Sequence, residues 1–428
     1  MQTLKISIEK NGLETYVGEI TGENAADACF SYAETYLSSS DPAAVSIHLP
    51  LQEKPFTPRE TRIFFEGMLP EGFTRRSVAQ WMRVQEEDYL AILAGLGNEC
   101  LGAVRVMRTG DTVPPSAYHK LSDRELAELA AEGAVKSSEL VIRSHLSLTG
   151  ASGKTGLYYV PETAEWYLPE GDAPSTHIIK QSHIRLSALV TNEVLCLMTA
   201  ARLGIETPES FILNTGDGTD GSILFASRRY DRLILPDAAE ISGLPRPCRL
   251  HQEDFAQALG IASSDKYETA GAAYLSAAFR LLASYSADPV RDQLKLWDLV
   301  IYNVLVGNTD LHLKNLSLLY DRNLRGIRLA PAYDIVSTAV YDSCTRELGM
   351  SVSGEGNLDA VRREHFIREA EDLGLGVRLA GKHLDRLLSG FETALAESAA
   401  VLSAHGFPRA EEIRAEIMRR GGISGLEK

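Results

Sequence analysis

The feature that most constrains this chain is a change of apolar period near residue 250. From about 138 to 235 the apolar runs are short and strand-like: Leu140-Val141-Ile142, Leu157-Tyr158-Tyr159-Val160, His177-Ile178-Ile179-Lys180 and Ser222-Ile223-Leu224-Phe225. One helical segment, about 187–203, interrupts them, with Leu189, Val194, Leu197, Met198 and Leu203 on its apolar face and Gly204 at its end. Beyond 250 the spacing becomes that of amphipathic helices, near 273–286, 293–306, 364–373 and 378–403.

A smaller unit precedes these two. Alternation of Leu4, Ile6 and Ile8 with Lys5, Ser7 and Glu9, then Asn11-Gly12 and a second run through Tyr16, Val17 and Ile20, predicts a β-hairpin. Helix-spaced apolar positions follow between 58 and 95 (Ile63, Phe64, Met68; Val78, Trp81, Met82; Leu90, Ile92, Leu93), and Pro114-Pro115-Ser116 marks a break. The expected organisation is α+β in three parts: an N-terminal α/β subdomain at 1–112, a strand-rich unit at 113–247, and an all-helical unit at 248–428.

Composition excludes several function classes. The chain has 428 residues, enough for two or three cores, and its 44% apolar and 24% charged content is that of a soluble globular protein. No apolar stretch reaches the roughly 18 residues of a membrane span, so a cytoplasmic protein with no membrane partner is expected. Cys29, Cys100, Cys196, Cys248 and Cys344 are odd in number and far apart, which argues for small core residues over a disulfide framework or thiolate metal site. A net charge of −15 disfavours direct binding to nucleic acid, where lysine and arginine supply most of the affinity.

The strongest chemical signal is Asn308-Thr309-Asp310-Leu311-His312-Leu313-Lys314-Asn315. An Asp followed five positions later by an Asn has the spacing of a kinase catalytic loop, where the Asp orients the attacking hydroxyl and takes its proton while the Asn oxygen ligates Mg²⁺. Alone, the pattern is far more often a helix cap and a turn. Asp334 adds weight: it follows two strand-like runs and a turn at Asp321-Arg322-Asn323, and a hard cation on ATP phosphates wants such a carboxylate beside the loop Asn. Asn315 and Asp334 are therefore the candidate metal ligands and Asp310 the candidate base. Ile335 and Val336 stand where eukaryotic-type protein kinases have Phe and Gly, and no His-Arg precedes Asp310. His312 instead gives D-x-H-x-x-N, similar to phosphoinositide-kinase and other atypical kinase loops, and is equally open to a packing role.

Lys180 ends a strand-like run, and a strand lysine facing a cleft suits α- and β-phosphates; Glu193, on the helix of the strand-rich unit, is the candidate to hold it. A solvated lysine and a helix-surface glutamate are the alternative. Gly153-Lys154-Thr155 suggests a Walker A loop, but Leu148 stands where that motif needs glycine, so the P-loop reading fails. A turn of small residues there still offers backbone N–H groups to phosphates, with Lys154 as a point charge, or is an ordinary turn between strands.

With Ser147 to Leu157, Thr176 to Lys180, Asn192-Glu193, Arg228-Arg229-Tyr230-Asp231-Arg232, His251 to Asp254, Lys266-Tyr267-Glu268, the Asp310 loop and Tyr333-Asp334 in order, the chain resembles the HipA family of toxin kinases along essentially its whole length. Phe64-Phe65-Glu66-Gly67-Met68-Leu69-Pro70 and Gly102-Ala103-Val104 are similar to that family's N-terminal subdomain. The resemblance implies a two-lobed atypical protein-kinase-like fold that uses ATP and Mg²⁺ and phosphorylates a serine or threonine on an aminoacyl-tRNA synthetase. It implies inhibition by a HipB-like helix-turn-helix antitoxin. It maps Ser147 onto a self-phosphorylated serine that silences the kinase. Thr149, Gly150, Ala151, Ser152, Gly153 and Lys154 become the loop over ATP, Tyr230 the adenine hinge, and Tyr333 part of the nucleotide site beside Asp334. Arg228 replaces an acidic residue common at its position. Ser353-Gly354-Glu355-Gly356-Asn357 carries no positive charge, so DNA is expected to be reached only through the antitoxin. The remaining readings are a small-molecule or lipid kinase, suggested by D-x-H-x-x-N alone, and a non-catalytic antitoxin-docking module.

Overall fold

A computed structural model describes residues 2–111, 115–133, 136–137, 140–141, 153–182 and 185–427. The N-terminal sheet has strand order β3-β2-β1-β4, from β1 (Gln2–Lys10), β2 (Leu13–Gly22), β3 (Cys29–Tyr32) and β4 (Val104–Arg108). Asn11 and Gly12 both adopt positive φ, 53° and 81°, as a two-residue hairpin turn of the right twist requires. The inward row Leu4, Ile6 and Ile8 is fully buried. After the one-turn helix α1 (Glu34–Leu37), α2 (Pro58–Gly67) and α4 (Tyr89–Leu96) pack on this sheet, and α3 (Gly72–Met82) packs on α4. A capping box between Thr57 and Glu60 starts α2, with Pro58 in its first turn. Trp81 is 64% exposed, so the apolar periodicity of α3 runs past the face that packs.

The central sheet orders six antiparallel strands β5-β7-β6-β8-β10-β9: β5 (Ala117–Lys120), β6 (Lys154–Val160), β7 (Glu165–Glu170), β8 (His177–Gln181), β9 (Ser210–Asn214) and β10 (Ile223–Arg228). Alternation divides β10 between two cores. Leu224 and Ala226 join Leu157, Trp166 and Ile179 under α5 (Asp123–Glu132). Ile223 and Phe225 face the larger core, which includes α6 (Leu189–Arg202) and runs on to the C-terminal helices. The central unit thus carries helix α5 besides the one expected. The strand expected at Leu140 to Ile142 is not formed: Leu140 and Val141 are helical, because a three-residue apolar run fits either a buried strand or a buried helix turn. Ile142 lies outside the described residues.

The C-terminal region packs helices Tyr274–Tyr285, Pro289–Val306, Arg363–Asp372, Val377–Ala404 and Arg409–Arg420 around Trp297, Tyr302 and Phe391, all almost fully buried. It is not all-helical. Gln252–Asp254, Ser317–Tyr320 and Ile327–Leu329 form a three-stranded sheet, and Glu347–Val352 pairs with Glu355–Asn357. The runs on either side of the turn at Asp321-Arg322-Asn323 are strand-like in the sequence, but Gln252–Asp254, three residues long, leaves too short a pattern to read against helical neighbours. Cys100, Cys196 and Cys248 are buried free thiols, while Cys29 and Cys344 are half-buried. Among the described residues no helix is long and apolar enough to cross a membrane.

Candidate active site

The central sheet contributes two lysines to one cleft. Its register sets Lys154 on β6 opposite Lys180 on β8, and Lys180 opposite Phe225 on β10. Directly paired residues leave the same face of a sheet, so the three form one row. Lys154, expected in the phosphate loop, instead opens β6, and Gly153 precedes it. The Lys180 ammonium lies 4.9 Å from the centre of the Phe225 ring and donates to Glu193 Oε1 at 2.6 Å. It also contacts Asp334 Oδ1. The cleft, of about 390 Å³, is lined by these groups and by Asp310, His312, Asn315 and Tyr230.

Burial opposes every one of these charges, and their neighbours decide the outcome. Against burial, Lys180 and then Lys154 hold the Asp334 carboxyl well below the usual range. Glu193, the second carboxylate on the same ammonium, is pushed up by burial with Lys180 opposing. Burial pushes Lys154 down although Asp334 works the other way. Asp334 also sits in the left-handed region at φ 55°, a conformation Asp tolerates better than most residues and one that costs about 1–2 kcal/mol.

On the other wall, helix Pro289–Val306 stops at Gly307, whose φ of +73° and contact with Ala339, 2.6 Å from a hypothetical Cβ, leave no room for a side chain. The loop then closes on itself. Asp310 N–H donates to Asn308 Oδ1 at 2.9 Å, and Asn315 Nδ2 donates to the Asp310 carbonyl at 2.8 Å. Asn315 Oδ1 accepts no hydrogen bond from another described residue. Asp310 Oδ1 accepts from the Tyr267 hydroxyl at 2.7 Å. Burial raises the Asp310 carboxyl, and that hydrogen bond lowers it in part. His312 packs edge-on to the Tyr267 ring at 4.9 Å, and burial, then the Lys266 ammonium, push it down to about 4. It is therefore a neutral imidazole at pH 7.

Tyr230 and Tyr333 face each other with ring centres 6.0 Å apart. Tyr333 shares a 2.6 Å hydrogen bond with Ser317 and donates to the Lys314 carbonyl at 3.0 Å. Arg228 is exposed at the cleft edge, at the end of β10. Ser147, Thr149, Gly150, Ala151 and Ser152 lie outside the described residues.

Two arrangements carry no marker in the sequence. Beneath Tyr230, Glu99 is buried among three arginines, 3.3 Å from Arg229, 2.8 Å from Arg232 and 2.7 Å from Arg249. Asp231 takes Arg229 at 2.7 Å and Arg232 at 2.9 Å. The second is Tyr267 on Asp310. Lys266-Tyr267-Glu268 stands out in the sequence only through the resemblance, and long-range approach of Tyr267 to Asp310 has no local signature.

Residues 146–395 match the HipA-like C-terminal domain family, and residues 12–107 match the HipA N-terminal domain family. The chain belongs to the HipA family of serine/threonine kinases. The kinase-like protein Y4mE of Sinorhizobium fredii is 30% identical over 393 residues, which is 89% of either protein. The serine/threonine-protein kinase toxin HipA of Shewanella oneidensis is 25% identical over 412 residues, 93% of this chain and 90% of that protein. The solved structure of Shewanella oneidensis HipA with HipB and operator DNA matches with a TM-score of 0.79 at 22% identity, covering 97% of this chain and 96% of that one. That likeness is one of fold, the atypical kinase fold.

Proposed function

We propose that this HipA-family chain transfers the γ-phosphoryl group of ATP to a serine or threonine of a protein, as the toxin of a toxin–antitoxin pair. The observation that carries the reading is the convergence of Lys180, Asp310, Asn315 and Asp334 on one cleft from elements as far apart as β8 and the loop after Pro289–Val306.

The residues fit a nucleotide-bound Mg²⁺. Asp334 is held ionised, Asn315 has a carbonyl oxygen to give, and among the described residues no cluster of three His, Cys, Asp or Glu forms a closed protein cage. Mg²⁺ typically takes one or two such oxygens and completes its shell with phosphates and water. When bound it neutralises charge on the phosphates. Lys180 and Lys154 add fixed positive charge on the sheet side, and Glu193 orients Lys180. Asp310 orients the acceptor hydroxyl and takes its proton, and Asn315 braces the Asp310 backbone. Tyr230 and Tyr333 flank the nucleotide, with the Tyr230 backbone as the adenine hinge. Such catalysis rests on position and charge compensation more than on base strength.

An aminoacyl-tRNA synthetase is the proposed acceptor, by resemblance to the toxin family, with Ser147 as the site of silencing self-phosphorylation. The Shewanella oneidensis relative assembles with HipB and operator DNA. This chain is proposed to bind a HipB-like antitoxin and to reach DNA through it, since the 353–357 hairpin turn carries no positive charge. The test separates roles. Asp310→Ala should abolish ADP release from Mg–ATP with ATP affinity kept, whereas Asn315→Ala and Asp334→Ala should weaken Mg–ATP binding. Three variants that bind ATP like wild type would contradict this division.

A further inference from the structure

The N-terminal subdomain brings one carboxylate, Glu71, to the cleft, beside Met68 and Leu101. Glu71 stands at the N-cap of α3, yet its side chain makes no cap hydrogen bond. Lys266 Nζ donates to its Oε2 at 2.7 Å, and Lys314 Nζ lies 2.9 Å from its Oε1. Lys314 is the residue before Asn315 in the catalytic loop. Lys266 precedes Tyr267, whose hydroxyl donates to Asp310 at 2.7 Å. One anion from outside the two lobes thus ties down both segments that fix the Asp310 loop.

Neighbouring contacts show that the tie is built. Lys314 also donates to the Gly67 carbonyl and to Ser263 Oγ, each at 3.1 Å. A Cβ on Gly67 would meet Gln257 at 2.9 Å, so α2 ends in close contact with the segment Phe255–Leu259. The loop and the Lys266 segment are joined as well, with Leu313 N–H donating to the Lys266 carbonyl at 3.3 Å. Burial disfavours the Glu71 charge, but Lys314 and Lys266 hold its carboxyl down at about 2, so the clamp stays ionised at neutral pH.

We infer that Glu71 is a positioning residue for phosphoryl transfer: through Lys314 and through Lys266–Tyr267 it holds the Asp310 loop in its working geometry, making the N-terminal subdomain part of the catalytic apparatus. The inference rests on the kinase reading above. Small displacements of a reacting group cost about 100-fold in rate, so Glu71→Gln should lower kcat for ADP release from Mg–ATP by about 10- to 100-fold, with KM for ATP unchanged. Tyr267→Phe, which removes one hydroxyl from a half-exposed ring, should lower kcat in the same sense, and the double variant should fall little further than Glu71→Gln. Ser46→Ala loosens the same subdomain at its hydrogen bond to Glu253, a bond that involves neither lysine, and should leave kcat unchanged.

The inference is overturned if Glu71→Gln and Tyr267→Phe turn over at the wild-type rate while Asp310→Ala is dead, which leaves the kinase reading intact. It is also overturned if Ser46→Ala loses as much kcat as Glu71→Gln, since any loosening of the subdomain then suffices. Equal ADP release from wild type and Asp310→Ala would overturn both readings. Should Glu71→Gln fail to fold, Tyr267→Phe alone decides.

Discussion

Two buried ionic clusters lie on either side of Tyr230, built from the same chemistry to opposite ends. Under it, Glu99, Asp231, Arg229, Arg232 and Arg249 are sealed from water, and each charge meets at least one opposite charge at 3.3 Å or closer. In the cleft, Lys154, Lys180, Glu193 and Asp334 share contacts unevenly: two carboxylates compete for one ammonium, and the Asp334 side chain stays 30% exposed. A cluster whose charges are all paired fixes a joint, here between the N-terminal subdomain and the central unit. A cluster with spare capacity, open to a cavity, can accept the phosphates and cation of a ligand.

This contrast can be broken by mutation. The largest effect is expected for Lys180→Met, which removes the charge facing the phosphates and should slow ADP release by about 10²–10³-fold, the scale set by loss of one preorganised charge-stabilising group. Its melting temperature should fall far less than that of Glu99→Ala, because the Asp334 side chain is 30% exposed to solvent and burial already favours the protonated, neutral form of Glu193; an equal fall would erase the distinction. Glu99→Ala takes one carboxylate from three buried guanidinium groups, leaving Arg229 and Arg232 to share Asp231 and Arg249 to Glu9, and should cost about 3–5 kcal/mol in denaturant unfolding, the usual consequence of deleting one partner of a buried pair.

A third carboxylate sharpens the comparison through pH. Glu253 is as buried as Glu99 but, among the described residues, meets Ser46, Tyr320 and the Ile47 N–H and no cation. Burial pushes it from 4.5 up to about 7. Between those values the unfolded chain has released the proton that the folded chain keeps, so stability should decline as pH rises through this window. Glu253→Gln should flatten the decline. Glu99 behaves oppositely: its arginines outweigh burial and hold its carboxyl low, so its contribution is present above the unfolded carboxylate range and lost as pH falls below it. The smallest effect, about 1 kcal/mol, is expected for Thr57→Ala at the α2 capping box, a neutral reference for the charged sites.

Local features were legible in the sequence. The Asn11-Gly12 hairpin, the α6 helix ending before Gly204, and the spacing of Asp310 to Asn315 are patterns within a few residues, set by turn chemistry and periodicity. Lys180 and Glu193 could be paired as candidates because kinase small lobes carry one strand lysine and one helix acid. What could not be read depends on register and tertiary approach. Lys154 faces Lys180 only because β6 and β8 pair in one register, and a one-residue slip would send its side chain to the other face. Glu71 meets Lys314 across 243 positions of chain, with no local trace at either end. The short strand at Gln252–Asp254 gains its order by pairing with Ser317–Tyr320, which no three-residue window reveals.

The most direct test of the central claim is intact mass and peptide mapping after incubation with Mg–ATP, comparing wild type with Asp310→Ala. Phosphate on the wild-type chain, mapped to Ser147 and absent from the variant, is the expected result. An unmodified wild-type chain with ATP left intact would contradict the kinase reading and favour a protein that keeps the fold only to dock its antitoxin.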